Sequence, residues 1–443
     1  DGDGGIGFII LIFELLFRYP KVGIPLLIIT VVVIIVKLRA SSSDEPFSTG
    51  AADSLSWEAS AQAVSHAGGH YQVEVLRQAD PDFSEPLFLD FVAALVARSV
   101  ALVETPRLVE VDRYLTGRDV LLPFGAGSWK NVVVGSTQLR SVQTGPAGSR
   151  IVVEVALGAT GAAGGCWWRT AWTFTRAAGV RSKGPGEITR LACPACGAGA
   201  ERKEDGSCRY CDQQPAPGEA AWAALQVDIL EEESRPPVSL GGYAEESGTD
   251  LPTVESRTLA QDLAALPQHL PDFEWEKTSE RCRQVFLALQ RAWSDRDLAA
   301  LRSLTTDAVF TTWRYWIEAY RAAGLRNRLE KIQVKKIESA RVSLDKYYAA
   351  VTVRIFASMV DQTVDDGGTV VDGQEKPRAF TEYWTFVRTL SAAKQEGVTC
   401  PGCGANLPAG QSGQCPYCSS MVGAPAFDWI LSRIDQDEDY TGA

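Results

Sequence analysis

Apolar residues crowd the start of the chain and then become periodic. Residues 6–17 (IGFIILIFELLF) are apolar apart from Glu14. Arg18, Pro20 and Lys21 interrupt them, and residues 22–36 (VGIPLLIITVVVIIV) follow without a charge, closed by Lys37, Leu38 and Arg39. As a helix the second run reaches ~22 Å at ~1.5 Å per residue, short of a bilayer core of about 30 Å. Leu38 and the stems of Lys21, Lys37 and Arg39 extend it by snorkelling, and Pro25 falls in the first turn, where proline is tolerated. The pattern predicts a membrane segment over residues 1–39, an interfacial or re-entrant helix followed by one transmembrane helix. A buried pair of soluble helices is the other reading, but aliphatic runs ahead of a polar linker have no obvious soluble core to join. Lys37 and Arg39 on the C-terminal side put the bulk of the chain in the cytoplasm; Arg18 and Lys21, ahead of the second run, weigh the other way. The first residue is Asp1, as removal of a leader or trimming of the chain would leave it.

A polar linker spans 40–67. Two globular stretches follow, 68–232 and 258–436, joined by an acidic, Pro- and Gly-rich linker at 233–257 and ending in a tail at 437–443. In the first stretch LFLDFVAALVARSVALV (87–103) has a helical apolar pattern, as does CRQVFLALQRAWSDRDLAALRSL (282–304) in the second. RIVVEVAL (150–157), CWWRTAWTFTR (166–176), YAAVTVRIFASMV (348–360) and RAFTEYWTFVRTL (378–390) alternate β-branched and aromatic residues as strands do. AFDWILSRI (426–434) alternates too, as a closing strand would. Residues 311–339 begin as a helix, end it at Gly324 and continue as a strand. Helices followed by an antiparallel sheet predict an α+β fold.

The two stretches read as copies. Pro81-Asp82-Phe83 recurs as Pro271-Asp272-Phe273, and Trp172-Thr173-Phe174-Thr175-Arg176 as Trp384-Thr385-Phe386-Val387-Arg388. CPACGAGAERKEDGSCRYC (193–211) recurs as CPGCGANLPAGQSGQCPYC (400–418), and Trp222 and Trp429 each follow the last cysteine at the same distance. Ordered matches of this kind indicate a duplication.

Cysteine usage then adds chemistry. Of ten cysteines, Cys166 and Cys282 stand apart in apolar surroundings and read as buried structural thiols. The other eight form four CxxC pairs. In a long chain this pattern points to thiolate metal binding in a reducing compartment rather than to a disulfide framework. Each CxxC is a knuckle that aims two thiolates at one point, and two knuckles complete a tetrahedral shell. Pro194, Gly197, Pro401, Gly402, Gly404 and Pro416 supply the turns. The expected ligands are Cys193, Cys196, Cys208 and Cys211 for one structural Zn2+, and Cys400, Cys403, Cys415 and Cys418 for the other. Redox thiols or iron are the alternatives. A closed four-thiolate shell has no open position and staples an insertion between two strands; the tip with Arg202, Lys203 and Arg209 is a candidate partner contact.

The remaining chemistry is sparse. The net charge of −12 argues against a general nucleic-acid binder. His66 and His70 flank Ala-Gly-Gly, whose glycines disfavour a helix, so a surface turn is expected there; His269 has no partner in sequence. No nucleophile elbow, phosphate loop or HExxH occurs. Asp365-Asp366 read as a solvated hairpin tip. Trp313, Tyr315, Trp316 and Tyr320 pack as core against Trp384 and Phe386, or line a cleft at the helix–sheet junction.

AAGLRNRLEKIQVKKIESARV (322–342), WTFVR (384–388), the CPGC…CPYC insertion and FDWILSRIDQ (427–436) resemble the Tim-forty-four-like domain family, bacterial relatives of the mitochondrial inner-membrane import-motor tether. LFLDFVAAL and YPKVGIPLLII (19–29) fit more loosely. The resemblance implies a cone-shaped α+β domain similar to nuclear transport factor two, with a curved sheet and an apolar pocket, and implies membrane association and protein binding rather than catalysis. It places the chain at the bacterial inner membrane. Two such domains and two zinc ribbons depart from the family pattern, and the long chaperone-binding arm of the tether is missing, so import-motor function does not carry over. The expected protein is a non-enzymatic scaffold or adaptor that contacts the lipid bilayer, binds protein partners or forms a homo-oligomer, and does not bind nucleic acid. An oligomeric membrane pore with the tandem domains as a cytoplasmic collar is the alternative. An enzyme would need a convergent acid or histidine set, and a strongly shifted buried acid would reopen that reading.

Overall fold

The computed structural model describes residues 69–125, 127–162, 164–184, 207, 216–219, 221–235, 250–390, 413–414, 421–422, 429–437 and 439–442. The apolar runs before residue 40, the 40–67 linker, the eight CxxC cysteines, His66 and most of the acidic linker lie outside these residues. Among the described residues no helix is long and apolar enough to cross a membrane. All of them belong to one compact unit.

The architecture is mixed α+β, with an antiparallel sheet in each half of the chain. The first half opens with helices α1 (Gly69–Ala79) and α2 (Glu85–Leu102). Short 3-10 turns at Pro106–Glu110, Asp112–Tyr114 and Arg118–Phe124 lead into strands β1 (Lys130–Gly145), β2 (Gly148–Gly161), β3 (Gly164–Ala177) and β4 (Ala223–Arg235). These pair in chain order, β1-β2-β3-β4. The second half runs α3 (Leu259–His269), α4 (Trp275–Asp295), α5 (Leu298–Leu304), α6 (Asp307–Ala322), then β5 (Leu325–Leu344), β6 (Tyr348–Asp365), β7 (Val370–Gly373), β8 (Arg378–Thr389) and, past a two-residue pair β9 (Gly413–Gln414) and β10 (Met421–Val422), β11 (Ile430–Asp435). The sheet order is β5-β6-β8-β11, with β7 a side hairpin on β6. Both halves thus lay helices first and then a four-strand antiparallel meander.

Local sequence accounts for most of these elements. On β2, Ile151, Val153, Val155 and Leu157 point to one face; on β3, Trp168, Trp172 and Phe174 point to the same face. That face packs on α2, which is apolar nearly all round and starts with Ser84 ahead of Glu85-Pro86, proline being suited to the first turn. On α4 the buried residues Cys282, Val285, Phe286, Leu289, Ala292 and Trp293 follow the helical period. Gly324, at φ +67°, ends the helical stretch after α6 and the chain turns directly into β5, as the sequence predicts. Asp365 and Asp366 sit in the β6–β7 turn, where the Asp365 carboxylate accepts from Thr369 N–H.

Two expectations change. The helical pattern over 282–304 is two helices rather than one. Arg296 adopts φ +57°, closing α4, and the Asp297 carboxylate caps α5 by accepting from the N–H groups of Ala299 and Ala300. The apolar period continues across the break because both helices face the same core. Second, Gly69-His70 is not a turn: α1 begins at Gly69, and His70 falls in its first turn. Glycine weakens a helix interior far more than a helix end, where half of the backbone groups are uncapped anyway.

The inner faces of both sheets are filled by rings. In the first half Phe88, Phe91, Tyr114, Phe124, Trp168, Trp172 and Phe174 form one core; in the second, Phe286, Trp293, Trp316, Tyr320, Phe380, Trp384 and Phe386 form another. The cluster expected at Trp313 and Tyr320 is therefore packing: Trp313 lies 5.6 Å from Trp293 and 6.4 Å from Trp384, both edge to face.

Candidate functional site

Each cysteine insertion leaves and re-enters the fold through neighbouring strands. β3 and β4 bracket the first, and Thr175 faces Ala223 across that ladder. β8 and β11 bracket the second, where Val387 faces Ile430. Gly413–Gln414 also pairs antiparallel with Met421–Val422, on either side of Cys415 and Cys418. The eight expected ligands themselves, Cys193, Cys196, Cys208, Cys211, Cys400, Cys403, Cys415 and Cys418, lie outside the described residues. The two lone thiols are buried, as expected. Burial and then Glu232, 3.6 Å from its sulfur, push the Cys166 thiol up to about 12, so it stays protonated and unreactive.

The repeated motifs meet one another at the mouth of each insertion. Arg176, from the W-T-F-x-R pattern, pairs with Asp80 at 2.8 Å, both fully enclosed, and its guanidinium lies 4.3 Å over the Trp222 ring. Phe83 of the Pro-Asp-Phe motif packs against the same Trp222. In the second half Arg388 pairs with Asp272 at 2.6 Å, but Asp272 is exposed. The sequence flagged these short motifs without showing that they touch. They tie the helical hairpin, the third strand and the closing segment together.

The other concentration of buried charge lies where the two halves meet, and no sequence signal pointed to it. Each half lays a helix on the outer face of the other half's sheet. Leu87 of α2 packs on Tyr348, Ala350, Val387 and Ile430. On α6, Trp316 stacks on Trp167 at 5.8 Å and 5°, and the Thr312 hydroxyl donates to Val134 O at 2.6 Å. Polar contacts surround this packing. Arg341 on β5 holds Glu85 on α2 at 3.1 Å, Lys346 holds Asp82 at 2.7 Å, and Gln138 Nε2 donates to Asp439 O. Burial raises Glu85, but Arg341, Arg433 and Arg77 outweigh it and hold the carboxyl at about 2. Tyr440 stacks on Tyr383 at 3.8 Å, and Asp437 pairs with the buried Arg354 at 2.9 Å, so Asp437 and Tyr440 pack on the second sheet.

Asp90 sits in the same junction and behaves in the opposite way. Burial and then the Asp307 carboxylate push it up to about 8, with Arg302 and Thr306 pulling down. Burial and then Asp90 also raise Tyr348. A shifted acid is the mark of many catalytic sites. Here its surroundings are a carboxylate, a guanidinium bound to that carboxylate, a threonine and a tyrosine, with no histidine or nucleophile among the described groups that shift it. His269, the described histidine farthest from a helix start, ends α3.

Each half is thus a helical layer on an antiparallel sheet, its inner face filled by rings and several of its charges arranged in packing pairs. Residues 259–397 match the family model of the Tim44-like domain. That stretch of the second half is thus similar to the family its motifs resemble, a family of membrane-associated, non-catalytic tethers and adaptors that interact with proteins. No curated protein matches the chain.

Proposed function

We propose that this chain is a membrane-anchored scaffold in which two Tim44-like domains, each stapled by a structural zinc, present one rigid body to protein partners on the cytoplasmic side. The observation that carries the reading is the family match of 259–397 together with the same element order in the first half. Corresponding contacts support the pairing of the halves. Thr116 N–H bonds to Ala224 O at 2.9 Å, and Thr306 N–H bonds to Leu431 O at 2.9 Å. Both threonines keep the spacing of the Pro-Asp-Phe motifs, and both acceptors keep the spacing of the closing tryptophans.

The CxxC pairs supply four thiolates to each insertion, a donor set that suits Zn2+. Because the insertion starts and ends on paired strands, closing it with a metal shortens a long loop whose ends the sheet already holds. Residues 22–36 with their basic flanks anchor the chain, and the domain pair then acts as a platform. Deleting residues 1–39 tests the anchor: the truncated chain should leave the membrane pellet for the soluble fraction. A truncation that still pellets in alkaline carbonate overturns it.

A further inference from the structure

The outer face of the second sheet carries a charged groove that the chain itself fills. On β6, Val353 and Ile355 belong to the ring-filled core, so Arg354 between them points to the other face, where its side chain is enclosed. Thr381 and Tyr383 of β8 and Ala340 of β5 complete the floor. Residues 437–442, which follow β11, occupy the groove. The Asp437 carboxylate accepts from Arg354 Nε at 3.0 Å and from Nη2 at 2.9 Å, a two-pronged pair, and the Thr381 hydroxyl donates to it as well. Three positions on, the Tyr440 ring stacks on Tyr383. The N–H groups of Asp439 and Tyr440 both bond to Gln436 O, so the segment lies there as a turn rather than as an added strand. A second cover comes from 251–256: Leu251 O accepts from Arg354 Nη1 at 2.7 Å, and Ser256 N–H donates to Ala340 O at 2.8 Å.

Both covers have the marks of replaceable parts. The floor residues all fall within the matched stretch 259–397, and both covers fall outside it. The Tyr440 hydroxyl is buried without a hydrogen-bond partner, so its seat suits a bare ring better than a phenol. Arg341 and Arg433 add positive potential around that seat.

We propose that this groove is the docking site for a protein partner and that residues 437–442 hold it shut. The partner's segment carries a carboxylate for Arg354 and, three positions later, an aromatic ring for Tyr383, phenylalanine before tyrosine. The proposal rests on the reading of the chain as a scaffold for proteins, and it gives the partner its chemistry, an acidic and aromatic turn. A tethered segment competes at an effective concentration of about a millimolar, so the emptied groove binds a partner far better than the covered one.

The test uses the full chain, as wild type and as Asp437→Asn with Tyr440→Ala, which empties the groove without touching its floor. The probe is a fluorescent peptide with the sequence of residues 435–442. Anisotropy should show the peptide bound about tenfold or more tightly by the double variant than by wild type. A peptide with asparagine at the Asp437 position should bind about tenfold or more weakly, and one with phenylalanine at the Tyr440 position more tightly. No binding to the folded variant, equal binding to both chains, or indifference to the amide overturns the proposal. Should the variant not fold, wild type decides: several millimolar of the phenylalanine peptide should speed hydrogen exchange of the 437–442 amides, and unchanged exchange overturns the site. The pelleting assay separates this result from the anchor, since a chain that pellets normally but ignores the peptide loses the groove alone.

Discussion

Replacing Glu85 by glutamine removes one charge from the best-enclosed ion pair between the halves while keeping the side chain's size. Glu85 Oε2 lies 3.1 Å from Arg341 Nη2, and both side chains are buried. The carboxyl stands at about 2 rather than 4.5. At ~1.4 kcal/mol per pH unit, that difference corresponds to about 3 kcal/mol of folded-state stabilisation of the ionised form. Breaking a buried pair by removing one partner costs about 3–5 kcal/mol in comparable cases, because the other charge is left enclosed. Asp435 and Tyr440 share in holding Arg341 charged, so the lower end applies, about 3 kcal/mol. The sign with pH follows from the lowered value. The contribution is complete above the unfolded value near 4.5 and is lost as pH falls toward 2. Urea unfolding followed by tryptophan fluorescence should show Glu85→Gln well below wild type at neutral pH, with the gap closing on acidification. Glu85→Gln combined with Arg341→Met should recover part of the loss, since no charge is then stranded. A neutral-pH gap under about 1 kcal/mol, or one that persists unchanged in acid, refutes the reasoning.

Three further outcomes are expected. Metal analysis of the purified chain should find about two zinc per chain, one for each four-thiolate shell. Cys400→Ser should halve that content and raise hydrogen exchange at β8 and β11 more than at β3 and β4; a zinc-free native protein removes the staple. Trp384→Ala deletes a fully buried ring that touches Phe286, Trp313 and Phe386, and should cost roughly 3–5 kcal/mol. A loss below about 1 kcal/mol would mean that this face is a cleft rather than core.

Much of the α+β framework was legible because its signals are local. The strands over 150–157, 166–176, 348–360 and 378–390 have a period-two pattern; the first three lie within observed strands and the fourth overruns its strand by one residue, Leu390. The turn from helix to strand at Gly324 was readable because only a residue without Cβ adopts that backbone freely. The break between α4 and α5 was missed because hydrophobic periodicity reports which face is buried, not whether the backbone is continuous. The cap that makes the break, Asp297, was present in the sequence as an ordinary helix-start signal. His70 was misplaced because the glycine beside it was weighed as interior rather than terminal.

The candidate chemistry divides in the same way. The CxxC spacing is a local signal that points to thiolate knuckles, and its cysteines lie outside the described residues. Asp90, Glu85, Arg341 and Arg302 carried no such mark. Each is an ordinary charged residue on a helix or strand, and their burial arises only when α2 crosses onto the second sheet and α6 onto the first.

By itself, then, the order of residues determined most of the strands and helices, the doubled motifs, the thiolate pairs and the likeness of 259–397 to the Tim44-like domain. Those features depend on neighbours a few positions apart. Tertiary structure alone decided that the halves grip each other by exchanged helices, and that two carboxyls of one helix have opposite fates there, Glu85 held ionised by Arg341 and Asp90 pushed toward its protonated form by burial. The strength of a charge in a protein is set by its desolvation and its nearest partners, and both are properties of the folded surface rather than of the residue.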